Sequence, residues 1–155
     1  IRKKIPDLVI STDIIVGFPG ETKKQFRETA ALMKKIKFAM AYIAAYSSRP
    51  GTAAAKLYPD NVSSIEKKQR QIILENILRQ SALANNQQYL GQMVLVLVAS
   101  RRTAQNRKQN CAEYFGRTKS FKNVKFVSDQ KNLIGQFVKV KITKADTWSL
   151  AGELI

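Results

Sequence analysis

STDIIVGFPGET, residues 11–22, decides how the first half of the chain is read. Val9, Ile10, Ile14, Ile15 and Val16 form an almost unbroken β-branched run. Such a run reads as a strand buried on both faces, as in a parallel sheet. Gly17, Pro19 and Gly20 end it abruptly, because glycine and proline are turn formers. Thr22 and Gln25 then fit the T-x-x-Q capping box that opens a helix. The order is strand, glycine-rich turn, helix N-terminus. In α/β sheets ligands gather at the carboxyl ends of strands, near free helix N–H groups. The pattern equally fits an ordinary βα turn without a ligand. GFPGET is neither G-x-G-x-x-G nor a Walker loop, so it carries no phosphate motif.

Working outward, residues 22–37 predict an amphipathic helix, with Phe26, Ala30, Met33 and Ile36 at helical spacing and lysines and Arg27 elsewhere. Phe38–Tyr46 predicts the next strand, since a Pro-Gly stop follows soon after. Ser47–Asn61 reads as a loop with turn signals at both ends. Arg49 within it could hold a carboxylate or phosphate, or brace the loop. Ser63 and Glu66 suggest a second capping box, opening a helix to about Gln88 with an apolar stripe of Ile65, Ile72, Leu74, Ile77, Leu78 and Leu83. Asn85-Asn86-Gln87-Gln88 weakens that helix and marks the expected boundary between residues 1–88 and 89–155.

After Tyr89 the pattern becomes β-forming. Strands are expected at Met93–Ala99, Glu113–Thr118, Asn123–Val127, Gln136–Thr143 and Thr147–Leu154, with a polar basic loop at 101–112 and a turn at Lys144-Ala145-Asp146. Five short strands suggest a small closed antiparallel barrel. Lys139 and Lys141 share one side of their strand with Phe137. Arg117, Lys119, Lys122 and Lys125 lie nearby, with Phe115 and Phe121 among them. Charge for phosphates and flat rings for bases are what a single-stranded or looped RNA requires. Each aromatic taken singly also fits a core position, and Trp148 is assigned to the core.

Composition narrows the function classes. The net charge is +16, with 15 basic and 7 acidic residues in 1–88 and 12 and 4 in 89–155, so each part carries +8. Charge spread through folded-looking sequence points to an anionic partner, nucleic acid before membrane. Cys111 is the only cysteine and histidine is absent. A disulfide within the chain, a Cys/His zinc site, a four-cysteine iron–sulfur site and histidine acid–base chemistry are therefore excluded. The cysteine usage fits a reducing, cytoplasmic compartment. No apolar run reaches the roughly 18 residues of a membrane span. The chain starts at Ile1, in a basic helix-like segment, and is expected to be a fragment or processed product.

STDIIVGFPGET, YSSRPGTAA (46–54), FGRTKSFKNVKF (115–126) and TWSLAGEL (147–154), in this order and spacing, resemble the carboxyl-terminal half of MiaB-type radical S-adenosylmethionine methylthiotransferases. The resemblance covers nearly the whole chain. It implies an α/β part, namely the last strands and helices of a radical SAM (partial TIM-type) barrel over 1–88. A TRAM domain, an OB-like antiparallel β-barrel that binds RNA, would follow over 89–155. It implies a reaction that adds a 2-methylthio group to N6-isopentenyladenosine beside the tRNA anticodon, with S-adenosylmethionine and two [4Fe–4S] clusters as cofactors. By residue, it assigns Gly17, Phe18, Pro19 and Gly20 to the cofactor pocket, with Tyr46, Ser47 and Arg49 at the neighbouring strand mouth. It assigns Gly116, Arg117 and Thr118 to RNA binding, and the basic and aromatic pattern of the strands adds Phe115, Lys125, Lys139 and Lys141. The cluster cysteines of the family have no counterpart here, so this chain alone is expected to be catalytically inactive and to hold no metal. Its expected partners are a tRNA anticodon stem-loop and the amino-terminal domains of the same protein. Alternatives are a stand-alone RNA-binding module, or a relative acting on threonylcarbamoyladenosine tRNA or on a ribosomal protein.

Overall fold

The computed structural model describes residues 3–5, 8–103 and 111–155. The first two residues of the basic start lie outside the described residues, as do 104–110 of the loop expected at 101–112. The ends of that loop are strand instead: residues 101–103 extend the strand Met93–Thr103, and Ala112 opens the strand Ala112–Thr118. The chain divides into two compact units, Val9–Ala82 and Leu83–Ile155 together with Ile1–Leu8.

The first unit is α/β. Strands β1 (Ser11–Val16) and β2 (Met40–Ala45) pair in parallel, with Ile14 opposite Ile43 and Val16 opposite Ala45. Helix α1 (Lys23–Ile36) crosses between them. Its capping box forms as expected: Thr22 accepts from the Gln25 N–H, and the Gln25 side chain accepts from the Thr22 N–H at 2.9 Å. Val16 and Ala41 pack with Phe26 and Met33 of α1 and with Leu74, Ile77 and Leu78 of α3 (Ser64–Gln87).

Here four expectations are corrected. The β1 run is covered on one face only: Val16 is buried, whereas Ile15, Met40 and Tyr42 are exposed. Both helices contribute to a single core cluster with the alternate residues of the strands, leaving the intervening ones uncovered. Within Ser47–Asn61 a short helix forms, α2 (Ala53–Leu57). Three alanines favour the helix, and Thr52 caps it by accepting the Ala55 N–H. The second capping box is half formed. Ser63 accepts from the Glu66 N–H, but the Glu66 carboxylate turns to Arg70. Ile65 and Ile72 of the anticipated stripe are exposed, and Ala82 joins the buried set instead.

The second unit is a closed five-stranded barrel in the order β3-β4-β5-β7-β6. The strands are β3 (Met93–Thr103), β4 (Ala112–Thr118), β5 (Asn123–Ser128), β6 (Phe137–Ala145) and β7 (Leu150–Leu154). The expected wholly antiparallel arrangement is corrected at one seam, where β5 and β7 pair in parallel. Five strands in a ring cannot all alternate in direction, so one neighbouring pair must run the same way. Inward residues fill the barrel: Val96, Val98, Tyr114, Val124, Phe126, Val140, Ile142 and Leu150 are buried, with the Tyr114 and Phe126 rings stacked at 5.6 Å. The expected turn at 144–146 moves on. Lys144 and Ala145 extend β6, and the Asp146 N–H bonds the Ser149 carbonyl to close the bend. Trp148 therefore sits in a bend and is 44% exposed, not in the core.

The polar run 85–88 is also more ordered than its composition suggests. Asn86 lies in α3 and is 2% exposed; its amide donates to the Asp146 and Thr147 carbonyls at 2.7 and 3.0 Å. Among the described residues, no helix is long and apolar enough to cross a membrane.

Candidate functional site

In the α/β unit, the glycine-rich turn stands at the carboxyl end of β1. Gly17 and Gly20 both have positive φ, 69° and 83°, which accounts for glycine at these positions. The Tyr46 N–H bonds the Val16 carbonyl, so the end of β2 lies beside the turn. Phe18 meets Tyr46 edge-on at 5.1 Å and leans toward Tyr58 at 6.5 Å. Gly17, Phe18 and Tyr46 are thus brought together. Pro19 and Gly20 lie in the same turn, and Ser47 and Arg49 lie exposed in the following loop. The Arg49 carbonyl accepts from the Thr52 hydroxyl.

The N–H groups of Gly17, Gly20 and Glu21 in the turn are engaged within the chain. The Gly17 N–H donates to the Glu21 carboxylate at 2.6 Å, and the Gly20 N–H donates to Asn61 at 2.8 Å. The site therefore presents aromatic edges rather than an anion cradle, a surface suited to a flat heteroaromatic group. Arg70 closes the back of the turn. Its guanidinium donates to the Glu21 carboxylate, to the Glu21 carbonyl at 3.1 Å and to Glu66 at 2.7 Å. Burial works against the Arg70 charge, but its bonds to Glu66 and Glu21 and their charges prevail and raise its pKa. Asn61, Tyr58, Lys67 and Arg70 were not singled out from sequence. The one available signal was the Glu66–Arg70 i,i+4 spacing.

The barrel carries the basic face. Leu97 of β3 pairs with Arg117 of β4 on one side and with Phe137 of β6 on the other. Arg117, Leu97 and Phe137 are all exposed, Phe137 at 67%. Lys139 stands opposite Leu95, and Lys141 opposite both Met93 and Glu153. Phe115 pairs with Lys125 and Ser100, and the Arg102 guanidinium lies 5.8 Å over its ring. Phe121 projects from the β4–β5 turn, 78% exposed. Arg117, Phe137, Lys139 and Lys141 are therefore outward residues of one continuous sheet, with Phe115 and Lys125 on the adjoining row.

Gly116 and Thr118 point the other way. Both are buried, and the Thr118 hydroxyl accepts the Lys122 N–H. Their geometry shapes the strand that presents Arg117. Sequence reading passed over Leu97, Leu95 and Met93, because outward leucines look like core residues in an apolar strand.

Among the described residues, no group of three or more His, Cys, Asp or Glu side chains could hold a metal ion. With Cys111 the only cysteine, the residues of this chain do not fit a [4Fe–4S] cluster.

Residues 87–155 match the TRAM domain family. Over all 155 residues the chain is 47% identical to a Bacillus cereus protein, 46% to one from Bacillus mycoides and 45% to one from Bacillus cytotoxicus. Each of these relatives is a tRNA-2-methylthio-N(6)-dimethylallyladenosine synthase. The chain spans 29% of their length, and the match falls on their carboxyl-terminal part.

Proposed function

We propose that this chain, similar over its whole length to MiaB-type enzymes, works as the carboxyl-terminal portion of a tRNA methylthiotransferase. In this reading residues 1–88 complete a radical SAM barrel and residues 89–155 bind the anticodon stem-loop of a tRNA in the cytoplasm. The observation that carries the RNA-binding part is the outward row Arg117–Leu97–Phe137, flanked by Lys139 and Lys141, on a barrel that matches the TRAM family. Lysines meet phosphates, exposed rings and apolar side chains meet unpaired bases, and Arg117 can do either.

Phe18 and Tyr46, with the adjoining Gly17, Pro19, Gly20, Ser47 and Arg49, are the residues that would line the S-adenosylmethionine pocket at the strand ends. Their aromatic edges suit an adenine ring. When bound, that cofactor supplies the methyl group and the radical chemistry. The [4Fe–4S] clusters would be held by parts of the protein that this chain does not contain, and the chain by itself would be inactive.

The test is a titration of the chain with an anticodon stem-loop carrying isopentenyladenosine, at several salt concentrations. The control is an unrelated protein of equal charge. Tighter binding than the control supports the reading. Equal binding refutes it.

A further inference from the structure

Two buried cations and an asparagine stand behind the glycine-rich turn, and none belongs to the turn itself. Arg70, whose side chain is 5% exposed, holds both the carbonyl and the carboxylate of Glu21, and Glu21 in turn holds the Gly17 N–H. Its remaining branch is bonded to Glu66, and its guanidinium lies 5.4 Å over the Phe26 ring. One turn earlier on α3, Lys67 is also buried. Its aliphatic stem occupies the space a side chain on Gly17 would need: a Cβ there would lie 2.3 Å from the lysine Cγ. Its ammonium lies 2.6 Å from both Asp60 oxygens and 5.2 Å over the Tyr46 ring. Asn61 receives the Gly20 N–H. The turn is thus tied at Gly17, Gly20 and Glu21, and the aromatic beside it at Tyr46, all to residues 61–70.

Burying two charged side chains is a poor route to stability, because desolvation offsets much of the attraction and an apolar pair of similar volume often serves as well. What such groups do supply is one defined geometry. Building on the cofactor-pocket reading above, we infer that Asn61, Lys67 and Arg70 are positioning residues that hold the Gly17–Glu21 turn and Tyr46 in the shape that receives the cofactor. They act through the turn and through Tyr46.

The experiment has two arms. The first follows amide hydrogen exchange in the chain by NMR, for the parent and for Arg70→Gln, Arg70→Lys and Asn61→Ala. Arg70→Gln should speed exchange at Gly17 about tenfold, the size expected when a charged hydrogen-bond partner is lost. Leu74 and Leu78 amides should keep their parent rates. Arg70→Lys should restore part of the protection. Should Arg70→Gln not fold, Asn61→Ala at an exposed position reads the same effect at Gly20. Unchanged Gly17 or Gly20 exchange in a folded variant overturns the inference. The second arm measures KM for S-adenosylmethionine and kcat in the longer protein proposed above. A raised KM with kcat kept within about twofold is the expected result, since a misshapen pocket weakens binding before chemistry. A loosened turn with an unchanged KM overturns the positioning role. A parent protein that does not use S-adenosylmethionine overturns the cofactor reading itself, and that outcome is visible before any variant is made.

Discussion

Gly116 lies so close to Leu97 that a Cβ built on it would stand 2.4 Å from the Leu97 carbonyl oxygen. Gly152 repeats the relationship with Lys141, at 2.2 Å. Each glycine also pairs with the residue just before an irregularity in the neighbouring strand, Gly116 with Val98 and Gly152 with Ile142. Bulges bend a strand and glycines admit close backbone approach, so the two devices together turn the corners of a narrow barrel. Gly116→Ala and Gly152→Ala should each destabilise the barrel by about 1–3 kcal/mol, the usual cost of overpacking. Urea melts of the chain check this. A midpoint unchanged from the parent would mean the neighbouring strand yields freely.

Arg117 and Phe137 should act differently from the lysines in RNA binding. Lys139→Ala or Lys141→Ala should weaken all RNAs similarly and reduce the salt slope by about 0.7 for single strands. Phe137→Ala should cost roughly 1–3 kcal/mol with little change in salt slope, because stacking carries no counterion release. Arg117→Ala should show both effects if the guanidinium stacks as well as pairs. Titrations at several salt concentrations, beside a melt of each variant, separate these outcomes.

Asn86 should be a structural residue rather than part of a hinge. Its amide satisfies the Asp146 and Thr147 carbonyls from a buried position. Asn86→Ala should cost about 1–3 kcal/mol, the penalty for buried acceptors left unpaired. Limited proteolysis of the parent should spare Asn85–Gln87, while the variant should be cut there earlier. Early cleavage of the parent at these residues would contradict the packing.

Lys122 should make stability rise with pH. Burial lowers its pKa below the ordinary lysine value. Between the lowered value and about 10.4, the unfolded chain binds more protons than the folded one, so stability increases as pH rises through that window. Lys122→Met keeps an apolar stem without the charge. Its urea midpoint should exceed the parent's at neutral pH, and the difference should shrink toward pH 10.4. A constant difference across the range would remove the charge as the cause.

Local chemistry made much of this protein legible from sequence. The T-x-x-Q box at Thr22–Gln25 names its own hydrogen bonds, and the glycines at 17 and 20 mark the turn that their positive φ requires. Alternation in Phe137–Ala145 separated the outward Phe137, Lys139 and Lys141 from the inward Val140 and Ile142. The four motifs carried the likeness to MiaB-type enzymes over the whole chain. Tertiary structure alone decided the rest, because it depends on what lies opposite rather than what lies adjacent. Ile15 and Val16 have the same chemistry, yet packing against the helices buries only Val16. Asn86 reads as a helix breaker until the Asp146–Thr147 carbonyls meet it from about 60 residues away in sequence. Arg70 looks like any helical surface arginine, and only the fold sets it against Glu21 from a distant segment. That Gly116 has no room for a side chain shows only in the fold, which sets the Leu97 carbonyl against it. The parallel β5–β7 seam follows from the number of strands in the closed ring, which no single strand encodes.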